Sequence, residues 1–147
     1  MRTKIRIIIE SVALLCILCG CFDDEQPRIV PYTPVHIEAS LAEPQFSPLY
    51  IDGNAVLIPG HGYRGNGVII YRHIGQVCAY DATCANCLQA TGSAIAVELR
   101  GPADGFCTCP ECGARYALLS GWAEGFKYPL QAYSAQITGG SYVRVSN

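Results

Sequence analysis

The sequence lacks the residue patterns that identify the common classes of enzyme. It has no Gly-x-Ser-x-Gly motif and no Ser-His-Asp order, and none of its three histidines is paired with a reactive cysteine by spacing. It also lacks the Gly-x-Gly-x-x-Gly order of a dinucleotide site and the lysine of a phosphate loop, which argues against a nucleotide ligand. A net charge of −2 argues against nucleic acid as a partner. We therefore predict no catalytic residues.

Cysteine, in contrast, is abundant, with 9 residues in the chain. Four of them form two Cys-x-x-Cys pairs, Cys84 with Cys87 and Cys109 with Cys112, and residues 88 to 108 separate the pairs. Each pair directs two sulfurs to one point, so two facing pairs supply a tetrahedron of thiolates, which is the ligand set of a zinc or an all-cysteine iron site. The spacing is slightly longer than the roughly 15–20 residues of a zinc ribbon. We predict one metal centre held by these four cysteines, containing either Zn²⁺ or [2Fe–2S].

From Leu49 onward the sequence has the pattern of a β-domain. Short β-branched or aromatic runs alternate with glycine-bearing turns, and no stretch has a convincing helical periodicity. Asp104-Gly105 is a strong hairpin signal because such a turn needs positive φ angles. The predicted strands are Ala55–Ile58, Val68–Arg72, Gln76–Asp81, Ala94–Arg100, Phe106–Thr108, Arg115–Leu119, Leu130–Ile137 and Ser141–Val145.

The glycine-rich segment 59–67 is predicted to be a mobile connection between strands. It contains His61, which has no cysteine or carboxylate spaced beside it as a second ligand. We expect His73 to form local hydrogen bonds just past a strand, and His36 to face solvent. None of the three is predicted to bind metal.

The second cysteine pair belongs to a longer motif, Cys109-Pro110-Glu111-Cys112-Gly113-Ala114-Arg115-Tyr116. This motif resembles the second cluster-binding loop of Rieske iron–sulfur domains, which typically runs Cys-Pro-Cys-His-Gly-Ser-Arg-Phe. The resemblance covers roughly the last hundred residues and includes Leu118-Leu119-Ser120-Gly121, Tyr128-Pro129-Leu130 and the Gly139-Gly140 turn. It implies an all-β, Rieske-like antiparallel β-sandwich with a rubredoxin-like or zinc-ribbon-like metal-binding subdomain of two loops.

The departures from the Rieske pattern concern the ligands. In the family each loop supplies one cysteine and one histidine, whereas here Asn86 and Cys112 stand at the two histidine positions. Glu111 stands where many members have a cysteine that forms a disulfide between the loops. The missing histidines remove the feature that raises a Rieske potential above that of an all-cysteine cluster. The resemblance therefore implies the fold but not Rieske-type redox function.

The N-terminus is predicted to be a lipoprotein signal peptide, residues 1–20. Arg2, Lys4 and Arg6 precede a short apolar run, and Leu18-Cys19-Gly20-Cys21 resembles a bacterial lipobox with Cys21 as the lipidated residue. An uncleaved anchor and an ordinary signal peptide are the alternatives. Lipidation would place the protein in the bacterial cell envelope, anchored to the outer membrane at its periplasmic face or at the cell surface. The acidic run 23–25 fits a surface-export tag as well as a solvated tether.

Residues 21–48 are predicted to be a lipidated tether, because five prolines between residues 27 and 48 disfavour helix and central strand. The alternation at residues 35–39 predicts an edge strand that joins the domain. The Rieske-like domain itself is predicted to span residues 49–147.

Cys78 and Cys107 lie on strands that lead into the two metal loops. An exported chain sits where disulfides persist, so a bridge between them is one prediction. Two buried, unpaired thiols are an equal alternative, because free cysteine packs as a small hydrophobic residue. In a third alternative, Cys107 replaces one of the four ligands.

Three functions follow from these observations. The four cysteines bind zinc and staple a module with an unknown protein partner; or they hold [2Fe–2S] in an electron carrier with a redox partner; or they form disulfides in a metal-free binding module. The second would make the protein at most an electron-transfer component of an oxidoreductase system. The N-terminus has no twin arginine, so the chain is expected to cross the membrane unfolded. That route would lose a cluster assembled in the cytoplasm and favours zinc.

Overall fold

The computed structural model describes residues 28–147. The predicted signal peptide, the lipidation site Cys21 and the acidic run at residues 23–25 lie outside this range. Within it, no helix is long and apolar enough to span a membrane.

The described chain consists of eight strands, one short α-helix and two 3-10 turns, so the prediction of a β-domain is confirmed. The strands are β1 (His36–Ser40), β2 (Ala55–Ile58), β3 (Val68–His73), β4 (Gln76–Asp81), β5 (Phe106–Thr108), β6 (Arg115–Ala117), β7 (Ala132–Thr138) and β8 (Tyr142–Ser146). The helix α1 (Ala85–Thr91) lies between β4 and β5, and the 3-10 turns are Ser47–Tyr50 and Tyr63–Gly65.

Six strands form one antiparallel sheet in the order β1-β8-β7-β4-β3-β2. The sheet curls so that apolar residues of β1 and β8 share one core with those of β2, β3 and β4, as in a β-sandwich. Along β3, Ile70 faces this core, while Ile69 and Tyr71 on the opposite face belong to a second core.

The second core lies between the sheet and a small two-stranded subdomain formed by β5 and β6. It buries Tyr80 of β4 against Cys107 and Tyr116 of the subdomain, and it includes three of the paired cysteines, Cys84, Cys87 and Cys109. The subdomain is therefore fixed on one face of the sheet, with the cysteine loops inside the contact.

The segment at residues 94–100 was predicted to be a strand, and this prediction is wrong. It makes only two isolated bridges, Thr83 with Ala96 and Glu98 with Thr108. These bridges nevertheless connect the two cysteine segments, because Thr83 precedes Cys84 and Thr108 precedes Cys109. The chain therefore uses this segment as a spacer that holds the two loops side by side.

The expectation that no helix is present is also wrong, because α1 begins directly after Cys84. The sulfur of Cys84 accepts the N–H of Cys87 at 3.5 Å and caps the helix, and Gly92 ends it in a left-handed conformation. Seven residues make about two turns, too few for a periodic pattern of apolar residues to be recognised.

The described part of the predicted tether, residues 28–48, is largely packed against the domain. Val30, Val35, Leu41 and Phe46 are buried. The edge strand predicted at residues 35–39 is confirmed as β1, which pairs with β8 in the register Ile37 to Val145. The four described prolines did not prevent packing, since they lie at exposed or half-buried positions between the buried residues. The domain therefore begins well before Leu49.

The glycine-rich segment 59–67 is anchored to the domain and is not the mobile connection that was predicted. The backbone N–H of Tyr63 donates to the carboxylate of Asp81 at 2.6 Å. Gly62 has φ +73, and a Cβ there would lie 2.6 Å from the same carboxylate. Glycine at this position permits the close approach of the loop to β4.

Candidate metal centre

The first cysteine loop is positioned by the end of β4. Asp81, the last residue of this strand, is fully buried and accepts the backbone N–H of Thr83 at 2.9 Å and the hydroxyl of Tyr133 at 2.6 Å. The backbone N–H of Cys84 then donates to the carbonyl of Ile95 at 2.8 Å. These bonds fix the chain on both sides of Thr83 and direct the Cys84 side chain into the second core.

The second loop is a tight turn between β5 and β6. The N–H of Cys109 donates to the carbonyl of Ala114 at 2.8 Å, and the N–H of Gly113 donates back to the carbonyl of Cys109 at 3.0 Å. Gly113 has φ +74, a conformation that side-chain-bearing residues adopt only with strain. The turn brings Cys109 and Cys112 to the same side of the loop.

The structure brings together all four cysteines that were predicted from their spacing. The sulfurs of Cys84, Cys87, Cys109 and Cys112 all lie within 4.8 Å of one another. Two of the contacts cross between the loops, at 3.7 Å for Cys84 with Cys112 and 3.6 Å for Cys87 with Cys109. Neither is a disulfide, whose sulfurs are about 2.05 Å apart. The four side chains can hold a metal ion.

The spacing of the sulfurs tests which kind of group fits. Zinc–sulfur bonds of about 2.3 Å in a tetrahedron put neighbouring sulfurs about 3.8 Å apart. The two cross-loop contacts of 3.7 and 3.6 Å match this value. A [2Fe–2S] cluster inserts two irons and two sulfides between its pairs of terminal thiolates, so it needs the pairs further apart than a single ion does. The four sulfurs are close enough together for one ion, whereas a cluster would need the two cross-loop pairs to lie further apart.

The four ligand candidates differ in their access to solvent. Cys84 is 0%, Cys87 5% and Cys109 1% exposed, whereas Cys112 is exposed at the tip of the second loop. Pro110, Glu111 and Gly113 beside it are exposed as well. Three of the four residues therefore belong to the protein interior, and Cys112 belongs to the surface.

The difference in burial also contributes to different pKa values for the thiols. Burial raises the pKa of Cys84 to about 11, although hydrogen bonds from Tyr116 and the Cys87 backbone oppose the change. Burial, followed by the neighbouring sulfurs, raises the pKa of Cys87. At Cys112 the slight burial acts upward, but the N–H of Ala114 and the neighbouring sulfurs outweigh it and lower the pKa. Without metal, Cys84 and Cys87 therefore hold their protons more tightly than Cys112 does.

Two residues that the sequence did not identify complete the surroundings of the buried ligands. The hydroxyl oxygen of Tyr116 lies 3.2 Å from the sulfur of Cys84. Asn86 donates to the same hydroxyl at 2.8 Å and to the carbonyl of Tyr128 at 2.7 Å, and it accepts the N–H of Tyr128 at 3.0 Å. Asn86 stands at a histidine position of the Rieske pattern, but here its amide fastens the first loop to the segment around Tyr128.

Cys107 and Cys78 are both free thiols and lie outside the group of four. Cys107 is buried in the second core, and this burial raises its pKa to about 12. Cys78 is half-buried, with its sulfur 3.9 Å from the carbonyl of Leu119. The group of four therefore contains Cys109 and not Cys107.

The histidines do not join the centre, since the group of possible ligands found in residues 28–147 contains cysteine alone. His36 is exposed on β1, as predicted. His73 lies at the end of β3 and stacks on Tyr71 with 6.2 Å between the ring centroids.

No protein-family model matches the sequence, and no curated protein matches it. Several solved structures do match. The ferredoxin of carbazole 1,9a-dioxygenase from Nocardioides aromaticivorans IC177 is 18% identical with a TM-score of 0.47, over 79% of this chain and 100% of that one. The putative NADH-dependent nitrite reductase small subunit from Mycobacterium tuberculosis is 20% identical with a TM-score of 0.45, over 79% and 97%. The plasma membrane Rieske protein PetC3 from Synechocystis is 22% identical with a TM-score of 0.45, over 64% and 86%.

Two of these three structures are named as a ferredoxin and a Rieske protein, and all three have TM-scores below 0.5. The chemistry of the site in this chain depends on its own residues.

Proposed function

We propose that this protein is an exported, lipid-anchored Rieske-like domain in which Cys84, Cys87, Cys109 and Cys112 bind one zinc ion that staples the two loops. The observation that carries the proposal is the compact arrangement of the four sulfurs, all within 4.8 Å of one another. A closed four-thiolate site has no open coordination position, so its role is structural. When bound, the metal would cross-link the start of α1 to the turn between β5 and β6.

The small size of the subdomain formed by β5 and β6 also favours a metal cross-link. The subdomain of β5 and β6 has three residues in each strand. A sheet of two short strands is marginal by itself, and a metal cross-link offsets the loss of chain entropy when the loops are ordered. The described thiols are all unpaired, so disulfides do not provide this cross-link in the structure.

A second candidate is a [2Fe–2S] electron carrier of low potential. It is favoured by the hydrogen bond between Tyr116 and the sulfur of Cys84, because hydrogen bonds to cluster sulfurs help to set reduction potentials. This candidate requires the two loops to separate further than they do here. It would place a redox protein, and not only a structural partner, opposite the exposed second loop.

The first test is elemental analysis with an absorption spectrum on the full chain, purified anaerobically from the exported form. A colourless protein with about one zinc per chain supports the structural centre. Two irons with matching sulfide and a red-brown colour would overturn it in favour of the electron carrier, and a single iron without sulfide would make the centre mononuclear but redox-active.

A matched pair of variants tests the ligand set. Cys109→Ser and Cys107→Ser change two buried cysteines that lie two residues apart on one face of the chain. Cys109→Ser, like Cys112→Ser, is expected to lose the metal and several kcal/mol of stability, whereas Cys107→Ser keeps the metal. Metal loss in Cys107→Ser with retention in Cys109→Ser would show that the wrong cysteine was assigned.

Lipid anchoring at Cys21 has its own test. The sequence Leu-x-Gly-Cys supports it. Cys21→Ser is expected to move the protein from the membrane fraction to the soluble fraction or to leave its signal peptide uncleaved. An unchanged membrane association with normal processing would exclude the lipoprotein assignment.

A further inference from the structure

The four ligand candidates are unequally protected, and this asymmetry has a chemical consequence. A thiolate is oxidised by a peroxide only where the peroxide can reach the sulfur. Cys84, Cys87 and Cys109 are at most 5% exposed, so the protein itself covers these three sulfurs. Cys112 is the exposed member of the group. An oxidant that arrives from solvent therefore meets Cys112 first.

Cys84 is close enough to Cys112 to form a disulfide with it in a second step. The sulfur of Cys84 lies 3.7 Å from that of Cys112, across the gap between the loops. A disulfide requires these atoms to approach to about 2.05 Å, a movement that the exposed tip of the second loop can supply. Cys84 itself is held by the hydroxyl of Tyr116 at 3.2 Å and by the N–H of Cys87 at 3.5 Å. We therefore expect Cys112, on the exposed loop, to move toward Cys84.

We propose that Cys112 is an oxidation site through which a peroxide converts the metal-bound centre into a metal-free form joined by a Cys84–Cys112 disulfide. The inference rests on the proposed function, because it assumes that the four cysteines bind a metal. It also unites two alternatives that the sequence left open: the metal staple and the disulfide staple are two oxidation states of the same cysteines.

The chemistry needs one peroxide and two thiolates. The Cys112 sulfur attacks one peroxide oxygen, the O–O bond breaks, and the products are a sulfenic acid on Cys112 and hydroxide. The Cys84 thiolate then attacks the Cys112 sulfur, the S–O bond breaks, and a second hydroxide leaves as the disulfide forms. The two sulfurs lose two electrons and the peroxide gains them. Only two thiolates then remain for the metal, too few for a structural four-coordinate site.

The second cross-loop pair, Cys87 and Cys109, can also join the two loops after the metal is lost. Cys87 and Cys109 are 3.6 Å apart and buried, so they stay reduced after the first equivalent and can form a second cross-loop disulfide with another. Either form keeps the two loops joined at the same positions. A protein in an oxidising compartment gains from such a site, because disulfides persist there.

The test is a peroxide titration of the metal-loaded full chain, with metal release followed by a coloured chelator. Metal content is measured before oxidant is added. We expect about one metal ion released per added peroxide. Trypsin cleaves after Arg100, between the two cysteine pairs, so a Cys84–Cys112 disulfide links two peptides, whereas a Cys109–Cys112 disulfide links none. Tandem mass spectrometry identifies the joined residues.

Two variants make the result specific. In Cys112→His an imidazole replaces the exposed thiolate as a zinc ligand, and we expect metal to be retained but its release by peroxide to slow at least about tenfold. Cys78→Ser is the matched control: it removes the other described cysteine with solvent access, outside the centre, and should release metal at the wild-type rate.

The outcomes separate the two proposals. If the untreated protein holds no metal, the proposed function fails and this inference fails with it. If metal is present but Cys112→His releases it as fast as the wild type, or if the first disulfide omits Cys112, the oxidation site is wrong while the metal centre stands. Slow release in Cys78→Ser would likewise overturn it, because the oxidant would then act through Cys78.

Discussion

The phenol oxygen of Tyr116 lies 3.2 Å from the sulfur of Cys84, and both residues are fully buried. Asn86 donates to the same oxygen at 2.8 Å, which leaves the hydroxyl hydrogen free for the sulfur. A metal-bound thiolate has no hydrogen to donate, so Tyr116 must be the donor in the loaded protein. One buried ligand is therefore stabilised by a hydrogen bond that starts on the strand after the second loop.

Tyr116→Phe tests how much the Tyr116 hydroxyl contributes to folding stability. We expect the variant to keep its metal and to lose about 2 kcal/mol of folding stability, since the hydrogen bond to the Cys84 sulfur and the one from Asn86 both disappear without a cavity. Chemical denaturation of the metal-loaded protein measures the loss. Tyr50→Phe, at a tyrosine that is 52% exposed, is the control and should be neutral. Loss of metal from Tyr116→Phe would show that the hydroxyl is needed for binding itself.

Replacing Asn86 is expected to lower the folding stability more than replacing Tyr116 does. The Asn86 side chain makes three hydrogen bonds, which connect the first loop to Tyr116 and Tyr128. Asn86→Ala should cost about 2–3 kcal/mol, at about 1 kcal/mol for each bond. Asn54→Ala removes a single side-chain bond, to the carbonyl of Pro48, and should cost correspondingly less. Equal losses in thermal unfolding would contradict the bridging role of Asn86.

The turn of the second loop depends on the backbone conformation of Gly113. A Cβ there meets no atom within 4 Å, so Gly113→Ala introduces backbone strain at φ +74 and nothing else. We expect a cost of about 1–2 kcal/mol. Gly101→Ala is the control, because its Cβ also meets nothing within 4 Å and its φ is not in the left-handed region. Metal-loaded samples of both variants are compared by urea unfolding, and equal midpoints would contradict the prediction.

Metal binding is predicted to release protons. Burial raises the pKa of Cys84 to about 11 and raises that of Cys87 as well, so both thiols are protonated in the metal-free protein at neutral pH. Binding requires their thiolates, and acid therefore favours the metal-free state. We expect the affinity to fall by at least roughly 100-fold for each unit of decreasing pH near neutrality, because at least the protons of Cys84 and Cys87 are released. Chelator competition at several pH values measures this, and a pH-independent affinity would refute it.

Much of the fold could be predicted from local sequence patterns. β2, β4 and β5 have the predicted bounds, and the ends of β3, β7 and β8 differ by only one or two residues. These strands consist of β-branched and aromatic residues between glycine turns, so local preference and tertiary packing agree. The segment at residues 94–100 has the same composition but pairs with its neighbours at only two positions. Its role as a spacer between the cysteine loops depends on tertiary contacts, so it could not be predicted from local strand propensity.

The sequence by itself determined the four ligand candidates, since two Cys-x-x-Cys pairs have few other uses in a chain of this length. It also determined the alternation of strands that makes a β-domain. Only the tertiary structure decided that residues 30–48 pack into the domain, that Asn86 is a bridge and that Cys107 is excluded from the centre. It also decided that one ligand of the four, Cys112, faces solvent. Spacing along the chain fixes which side chains can meet, whereas burial depends on what other segments cover, and that is set by contacts between residues far apart in sequence.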